Sequence, residues 1–277
     1  MIAEKSVIAG GFQTSYIEGG DPRNPTIVLI HDGAFGTTAR LCWEDVAEGL
    51  SDEYHVLAPD LLGWGGTDKV VFFDRSPYAP RIKHVSDFLD AVGAVDDAFF
   101  VGASFGGSMT LRALADPSSP WRASKAATIS GTGGPFRLAS GIKALGEYEP
   151  SIEAAERLTS LVVASVEGLD QHIKQRYENS LIPGHWEAMS APKLRNPGTE
   201  RALPPDPFPN SLKTVSTPIL YVEGIRDQLL EPGWSAKLCE LTPNGSRVEV
   251  EYAHEPNIDA PGEIVRILKT FFKGDSK

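Results

Sequence analysis

Ser104, Asp227 and His254 are, in that chain order, the residue types that can turn a hydroxyl into a nucleophile. A serine needs a base to take its proton and a third group to orient that base. Ser104 lies in Gly102-Ala103-Ser104-Phe105-Gly106, a G-x-S-x-G pattern directly after an apolar run and ahead of a helical pattern. That is the setting of a nucleophile elbow, where small residues let the chain turn sharply and hold the serine exposed at a helix start. Backbone N–H groups there favour developing negative charge. Asp227, in "EGIRDQLL", and His254, in "EYAHEPN", each follow a strand-like run, so both fall where the C-terminal ends of strands converge. Singly, Asp227 reads as a turn aspartate and His254 as a surface-loop histidine; their order and placement together predict a triad.

An oxyanion hole needs two N–H donors. Phe105, just after the serine, is the expected first; the loop "HDGAFG" supplies the second, from Gly33 or, failing that, Ala34. The other histidines fit less well. His55 opens a strand-like run, and His84 and His172 sit in helical patterns as solvated or internally satisfied side chains, while His185 in "IPGHWEAM" is a candidate for touching substrate. Ile258 stands where H-E-x-x-H requires its second histidine, which excludes that zinc motif, and no lysine follows the glycines near Ser104 as a phosphate-binding loop requires.

The elements that must position these residues alternate in kind. Short apolar runs, "TIVLIH" (26–31), "YHVLAPD" (54–60), "AFFVGA" (98–103), "AATIS" (126–130) and "PILYVEG" (218–224), suit strands buried on both faces. Between them "WEDVAEGL", "RIKHVSDFLDAVGA" and "SMTLRALAD" carry the apolar spacing of helices facing a core. The alternation predicts an α/β fold with a mostly parallel central sheet and helices on both faces. The rhythm breaks over residues 135–209, where "IEAAERLTSLVVASV" and "LDQHIKQRYENSL" read as helices and "RALPPDPFPN" is proline-rich. A helical cap over 135–209, inserted into a core of 1–134 and 210–277, is therefore expected. Beyond it come an amphipathic segment at 234–241, the alternating strand "RVEVEY" and a final helix in "EIVRILKTFF".

Composition limits the partners. With 41% hydrophobic and 23% charged residues the chain can build a sizeable core. Acidic residues outnumber basic ones 37 to 26, a formal charge of -11, which disfavours nucleic acid or an anionic membrane as partner. The start "MIAEKSVIAG" lacks the pattern of a secretory signal and no apolar stretch is long enough to span a bilayer, so a cytoplasmic protein is expected. Cys42 and Cys239 lack metal or redox spacing and read as buried free thiols, and Asn244-Gly245 reads as a tight turn.

"LIHDGAFG", "LAPDLLGWGGTD", "GASFGG", "EGIRD" and "AHEPN" together resemble the α/β-hydrolase superfamily, over nearly the whole chain. Within it, "YEPSIEAAERL" and "KQRYENSLIPGHWEAM" are similar to the meta-cleavage-product hydrolases, which split carbon–carbon bonds in ring-fission products of aromatic catabolism. The resemblance implies an α/β-hydrolase fold with a cap and catalysis without a cofactor on a small-molecule substrate. It also implies an enol-to-keto step before attack on a ketone, and a homodimer. It gives Arg176 the role of holding a substrate carboxylate, for which a guanidinium is the natural bidentate partner.

The chain also departs from that subfamily. Ala103 stands where asparagine is usual, Glu255 where tryptophan is usual, and His31-Asp32 where His-Gly is usual. A carboxylate about 4 Å from an oxyanion repels it by roughly 4 kcal/mol at an effective dielectric of 20. One hole donor contributes about 2.7 to 4 kcal/mol. Asp32, beside the reacting centre, must therefore point away from the hole or be neutral. Trp64, Phe72, Phe73 and Trp186 are candidates for an apolar pocket wall. Rival readings are a carboxylesterase or lactonase, a ligand receptor that has lost turnover, and a cofactor-free oxygenase on the same scaffold.

Overall fold

The computed structural model describes residues 1–72, 76–94, 97–191 and 206–274. Among these, β1 (Ala3–Ala9), β2 (Phe12–Gly19), β3 (Thr26–Ile30), β4 (His55–Pro59), β5 (Ala98–Ala103), β6 (Ala123–Ile129), β7 (Ile219–Gly224) and β8 (Gly245–Val250) form one sheet. Its order is β1-β2-β4-β3-β5-β6-β7-β8. The strands from β4 to β8 run parallel, and β1 and β2 lie antiparallel at one edge. This is the α/β-hydrolase fold. The apolar runs became strands because β3, β4, β5 and β7 bury nearly every side chain, and only a sheet covered on both faces accommodates such runs.

Two helix layers provide the covers. On one face α1 (Ala39–Leu50) and the final helix α10 (Pro261–Lys273) bring Trp43, Leu50 and Leu268 against Leu29, Val101 and Val222. On the other, α2 (Ala79–Val92) and α3 (Phe105–Leu114) set Phe88 and Met109 against Val28 and Phe100. There too α8 (Trp234–Leu241) packs Trp234 and Leu238 on Ile219 and Tyr221. Each such side chain, fully buried, is worth roughly 1.5 to 3 kcal/mol of transfer free energy. The helix starts follow from local chemistry: Thr38 Oγ1 accepts the Leu41 N–H of α1 at 3.0 Å. Gly93 closes α2 in the left-handed conformation that glycine adopts without penalty.

Between β6 and β7 the chain leaves the sheet for α4 (Ala139–Gly146), α5 (Ile152–Val162), α6 (Asp170–Ser180) and α7 (His185–Ser190). Ser151 caps α5 by accepting the Ala154 N–H at 3.1 Å. A four-residue helix, α9 (Pro256–Asp259), follows the loop of His254.

Some features differ from expectation. The β1–β2 hairpin has no apolar run to reveal it, because most side chains of β1 face solvent at the sheet edge. Cys42 is buried, but Cys239 is only partly so, at the end of an amphipathic helix. Asn244-Gly245 does form a turn, with Gly245 N–H donating to Thr242 O at 3.0 Å. Phe73 and much of the proline-rich stretch lie outside the described residues. No helix among the described residues is long and apolar enough to cross a membrane.

Candidate active site

Ser104 sits between β5 and α3 at φ 50° and ψ −108°, a left-handed backbone strained for a non-glycine residue. The surrounding glycines are there because no side chain fits. A Cβ on Gly102 would lie 2.4 Å from the Gly106 carbonyl, and one on Gly106 would lie 2.2 Å from the Ile30 oxygen. Helix α3 thus packs directly on the ends of β5 and β3, and the turn pushes the Ser104 hydroxyl outward. The Ser104 N–H is tied back to Ile129 O at 2.8 Å.

The Ser104 hydroxyl meets His254 Nε2 at 2.8 Å, and His254 Nδ1 meets Asp227 Oδ2 at 2.7 Å. Both His254 and Asp227 side chains are 4% exposed. Asp227 is aimed by its other oxygen, which accepts the Leu229 N–H at 2.7 Å. The loop that carries it is anchored by Glu223, buried in β7, which accepts from Gly233 N–H at 2.6 Å and from the Ser235 N–H and hydroxyl. The two loops are laced together: Arg226 N–H donates to Tyr252 O at 2.9 Å, and Ile225 N–H to Val250 O at 3.0 Å.

The loop after β3 forms the opposite wall. Among the described residues neither the Gly33 nor the Phe105 N–H has a protein acceptor. A Cβ on Gly33 would lie 2.7 Å from that of Phe105, so the two backbones approach closely beside Ser104. Ala34, the fallback donor, cannot serve, since its N–H is spent on Asp32 Oδ1 at 2.7 Å. The second Asp32 oxygen accepts the Thr37 hydroxyl at 2.6 Å, so both are committed to the loop's own donors. His31 is fully buried and accepts the Leu61 N–H at Nε2 (2.9 Å), so its proton is on Nδ1, donated to Asp32 O at 2.6 Å. Burial pushes its pKa down, which keeps the ring neutral.

A cavity of about 270 Å3 opens over Ser104 and His254. Its wall includes Asp32, Gly33, Ala34, Phe105 and Glu255, with apolar cover from Phe35, Ile142, Leu145, Val162, Met189, Leu229 and Leu230. Several expected contacts are absent from it. Trp186 is 43% exposed on α7, and Phe72 does not line the wall either. Trp64 is buried behind it, where its indole N–H donates to Ala34 O at 3.0 Å and so steadies the loop of Gly33. His185 is fully buried and structural: Nε2 accepts the Gly36 N–H at 2.9 Å and Nδ1 donates to Gly63 O at 3.0 Å. His84 is buried with Nε2 against the Thr14 hydroxyl at 2.8 Å, and His172 is partly buried against Arg176, so both are held internally and neither is solvated.

Arg176 is the largest departure. It is fully buried on α6 and outside the cavity wall, with Nη1 donating to Phe35 O at 3.2 Å and Nη2 meeting His172 Nε2 at 3.3 Å. Its guanidinium braces the loop of Gly33 instead of facing a ligand, because the α6 backbone passes hard against Gly36; a Cβ there would lie 2.0 Å from Arg176 O. Other functional residues went unnoticed in the sequence. Leu229 and Leu230 had a signal, an apolar pair directly beyond the expected triad acid, as had Glu223, a charge inside an apolar strand.

A family model for the alpha/beta hydrolase family matches residues 27–267, and the chain belongs to that family. It is 25% identical over 277 residues to 2-hydroxy-6-oxo-2,4-heptadienoate hydrolase of Pseudomonas putida, covering 98% of this chain and 96% of that protein. It is 31% identical over 232 residues to the 2-hydroxy-6-oxononadienedioate/2-hydroxy-6-oxononatrienedioate hydrolase of Cupriavidus pinatubonensis, covering 79% and 76% respectively. The solved structure of the meta-cleavage product hydrolase from Pseudomonas fluorescens matches with a TM-score of 0.83 at 26% identity over 97% of both chains. The chain is a hydrolase by family and is similar to meta-cleavage product hydrolases.

Proposed function

We propose that the protein is a serine hydrolase that cleaves a carbon–carbon bond in a small, partly apolar, diketone-like compound. Ser104 is the nucleophile, His254 the general base and acid, Asp227 the group that orients it, and the Gly33 and Phe105 N–H groups are the oxyanion hole. The observation that carries this reading is the pair of contacts at His254, 2.8 Å to Ser104 and 2.7 Å to Asp227, at the floor of the cavity. Residues 135–209 act as a cap, from which Ile142, Leu145, Val162 and Met189 supply part of the apolar cover.

A dienol substrate first gains a proton at carbon and gives up its enol O–H proton, becoming a diketone whose new carbonyl can later take up the electron pair of the broken bond while the other ketone is the one attacked. Ser104 Oγ then attacks the ketone carbon as His254 Nε2 accepts its proton, and the oxygen, now anionic, faces the two free N–H groups. Collapse breaks the carbon–carbon bond; the departing carbon leaves as an enolate and takes the proton from His254. Water, deprotonated by the same histidine, hydrolyses the acyl-serine. The reaction so drawn uses water and no cofactor. The names of the relatives above support this bond type.

Ester or lactone hydrolysis by the same acyl-serine is the second reading. It is favoured by the burial of Arg176 away from the cavity, which leaves a dienoate carboxylate without its expected partner. A substrate panel separates the two: loss of absorbance from vinylogous diketones or from ring-fission dienols, abolished in Ser104→Ala, supports carbon–carbon cleavage. Release of nitrophenolate from p-nitrophenyl esters, with inertness toward vinylogous diketones, overturns it in favour of ester hydrolysis.

A further inference from the structure

We infer that Glu255 is a substrate contact that hydrogen-bonds a second, uncharged oxygen of the substrate, so that the cavity selects neutral carbonyl compounds over carboxylate anions. The inference rests on the reading of Ser104 as the nucleophile at the cavity floor and adds the substrate class.

Glu255 follows His254 directly, and its own N–H donates to Val162 O at 2.7 Å, which pins it between the histidine loop and α5. Its side chain is 1% exposed and forms part of the cavity wall with Ser104 and Asp32. No described residue hydrogen-bonds its carboxyl, and Oε2 is buried without a partner. Of the other carboxyls nearby, Asp32 is held by Ala34 and Thr37 and Glu223 by Gly233 and Ser235, while Asp259 accepts the Ala164 N–H at Oδ2 and leaves only Oδ1 unpartnered, away from the cavity wall. A buried polar group with no partner is costly, and such an exception calls for a ligand or a role. The Ser130 hydroxyl, in the same wall, is likewise buried and unpartnered.

The surroundings decide which ligand oxygen suits. Asp32 from the loop after β3, Asp227 from the loop after β7, Asp259 on α9 and Arg176 on α6 all act on the Glu255 carboxyl, which in turn acts on the Cys42 thiol of α1. Burial first, and Asp32 next, push its pKa well above the usual range; Arg176 opposes them without prevailing. Glu255 then offers an O–H, which a carbonyl or ether oxygen accepts. A substrate carboxylate placed there would meet Asp32 across the wall, while the Arg176 guanidinium is turned to Phe35 and His172, and that of Arg137, also in the wall, is exposed and reaches the Tyr78 hydroxyl at 3.4 Å.

Calorimetric binding to Ser104→Ala protein tests this, with methyl 5-oxohexanoate, its free carboxylate and 2-heptanone as probes. The keto ester is expected to bind at least tenfold tighter than the carboxylate. Adding Glu255→Leu should weaken the keto ester about tenfold and 2-heptanone, which lacks the second oxygen, less than threefold; Glu255→Gln, a neutral donor of the same shape, should stay within threefold on both. Preference for the carboxylate, or equal losses of keto ester and ketone in the leucine variant, overturns the inference. Should the leucine variant not fold, the pH dependence decides. Keto-ester affinity is expected to fall as pH rises when Glu255 is present and to lack that fall in Glu255→Gln; the same profile in both overturns it. If the binding pattern holds while the unmodified protein hydrolyses no carbonyl compound, the catalytic reading fails and the contact stands.

Discussion

A Cβ on Gly224 would lie 1.8 Å from the carbonyl oxygen of Ala253. The end of β7 and the chain entering His254 therefore touch backbone to backbone, and this contact brings Asp227 and His254 within 2.7 Å of each other. Gly224→Ala is predicted to force the two loops apart. Overpacking of this kind costs roughly 1 to 3 kcal/mol of stability. A displacement of about 1 Å at the reacting groups costs on the order of 10²-fold in rate. Denaturant melts and kcat/KM measured together check this; a stable variant with full activity would contradict it.

Asp227→Asn separates orientation from folding. The amide oxygen can still accept the Leu229 N–H, but the amide nitrogen then faces His254 Nδ1 and imposes the wrong tautomer. The predicted outcome is a fall in kcat of about 10⁴-fold with the melting temperature nearly unchanged. Steady-state kinetics with a thermal melt decides; a large loss of stability alongside the loss of rate would assign Asp227 a structural role instead.

The buried His84 and the partly buried His172 contribute to the acid limit of stability. Burial lowers the pKa of His84 to about 4 and that of His172 to about 3, against 6.5 in the unfolded chain. The unfolded state therefore takes up protons that the folded state refuses. The stability present above pH 6.5 is lost as pH falls toward those values. For His84 alone the loss between pH 7 and pH 5 is about 2 kcal/mol. Urea melts at the two pH values are predicted to show a smaller loss in His84→Gln and in His172→Gln than in the unmodified protein.

Local features were legible where local physics fixes them. The run Ala98–Ala103 could be read residue for residue as a strand, since six consecutive small or apolar side chains ending at a G-x-S-x-G turn fit little else. The meeting of Ser104, Asp227 and His254 followed from their order and from the strand ends that carry them. What escaped depends on contacts between distant parts of the chain. Arg176 has the expected type and position, but its guanidinium is taken by Phe35 O, 141 residues away. His185 looked like a ligand contact until its two nitrogens were found on Gly36 and Gly63. The β1–β2 hairpin offered no apolar run because it forms an exposed edge.

Labelling with a fluorophosphonate tests the central claim most directly, because only an activated serine with an oxyanion hole is phosphonylated quickly. The account predicts a single stoichiometric adduct, mapped by mass spectrometry to Ser104, absent in Ser104→Ala and strongly slowed in His254→Ala. No adduct on Ser104, or equal labelling in the His254 variant, would contradict it.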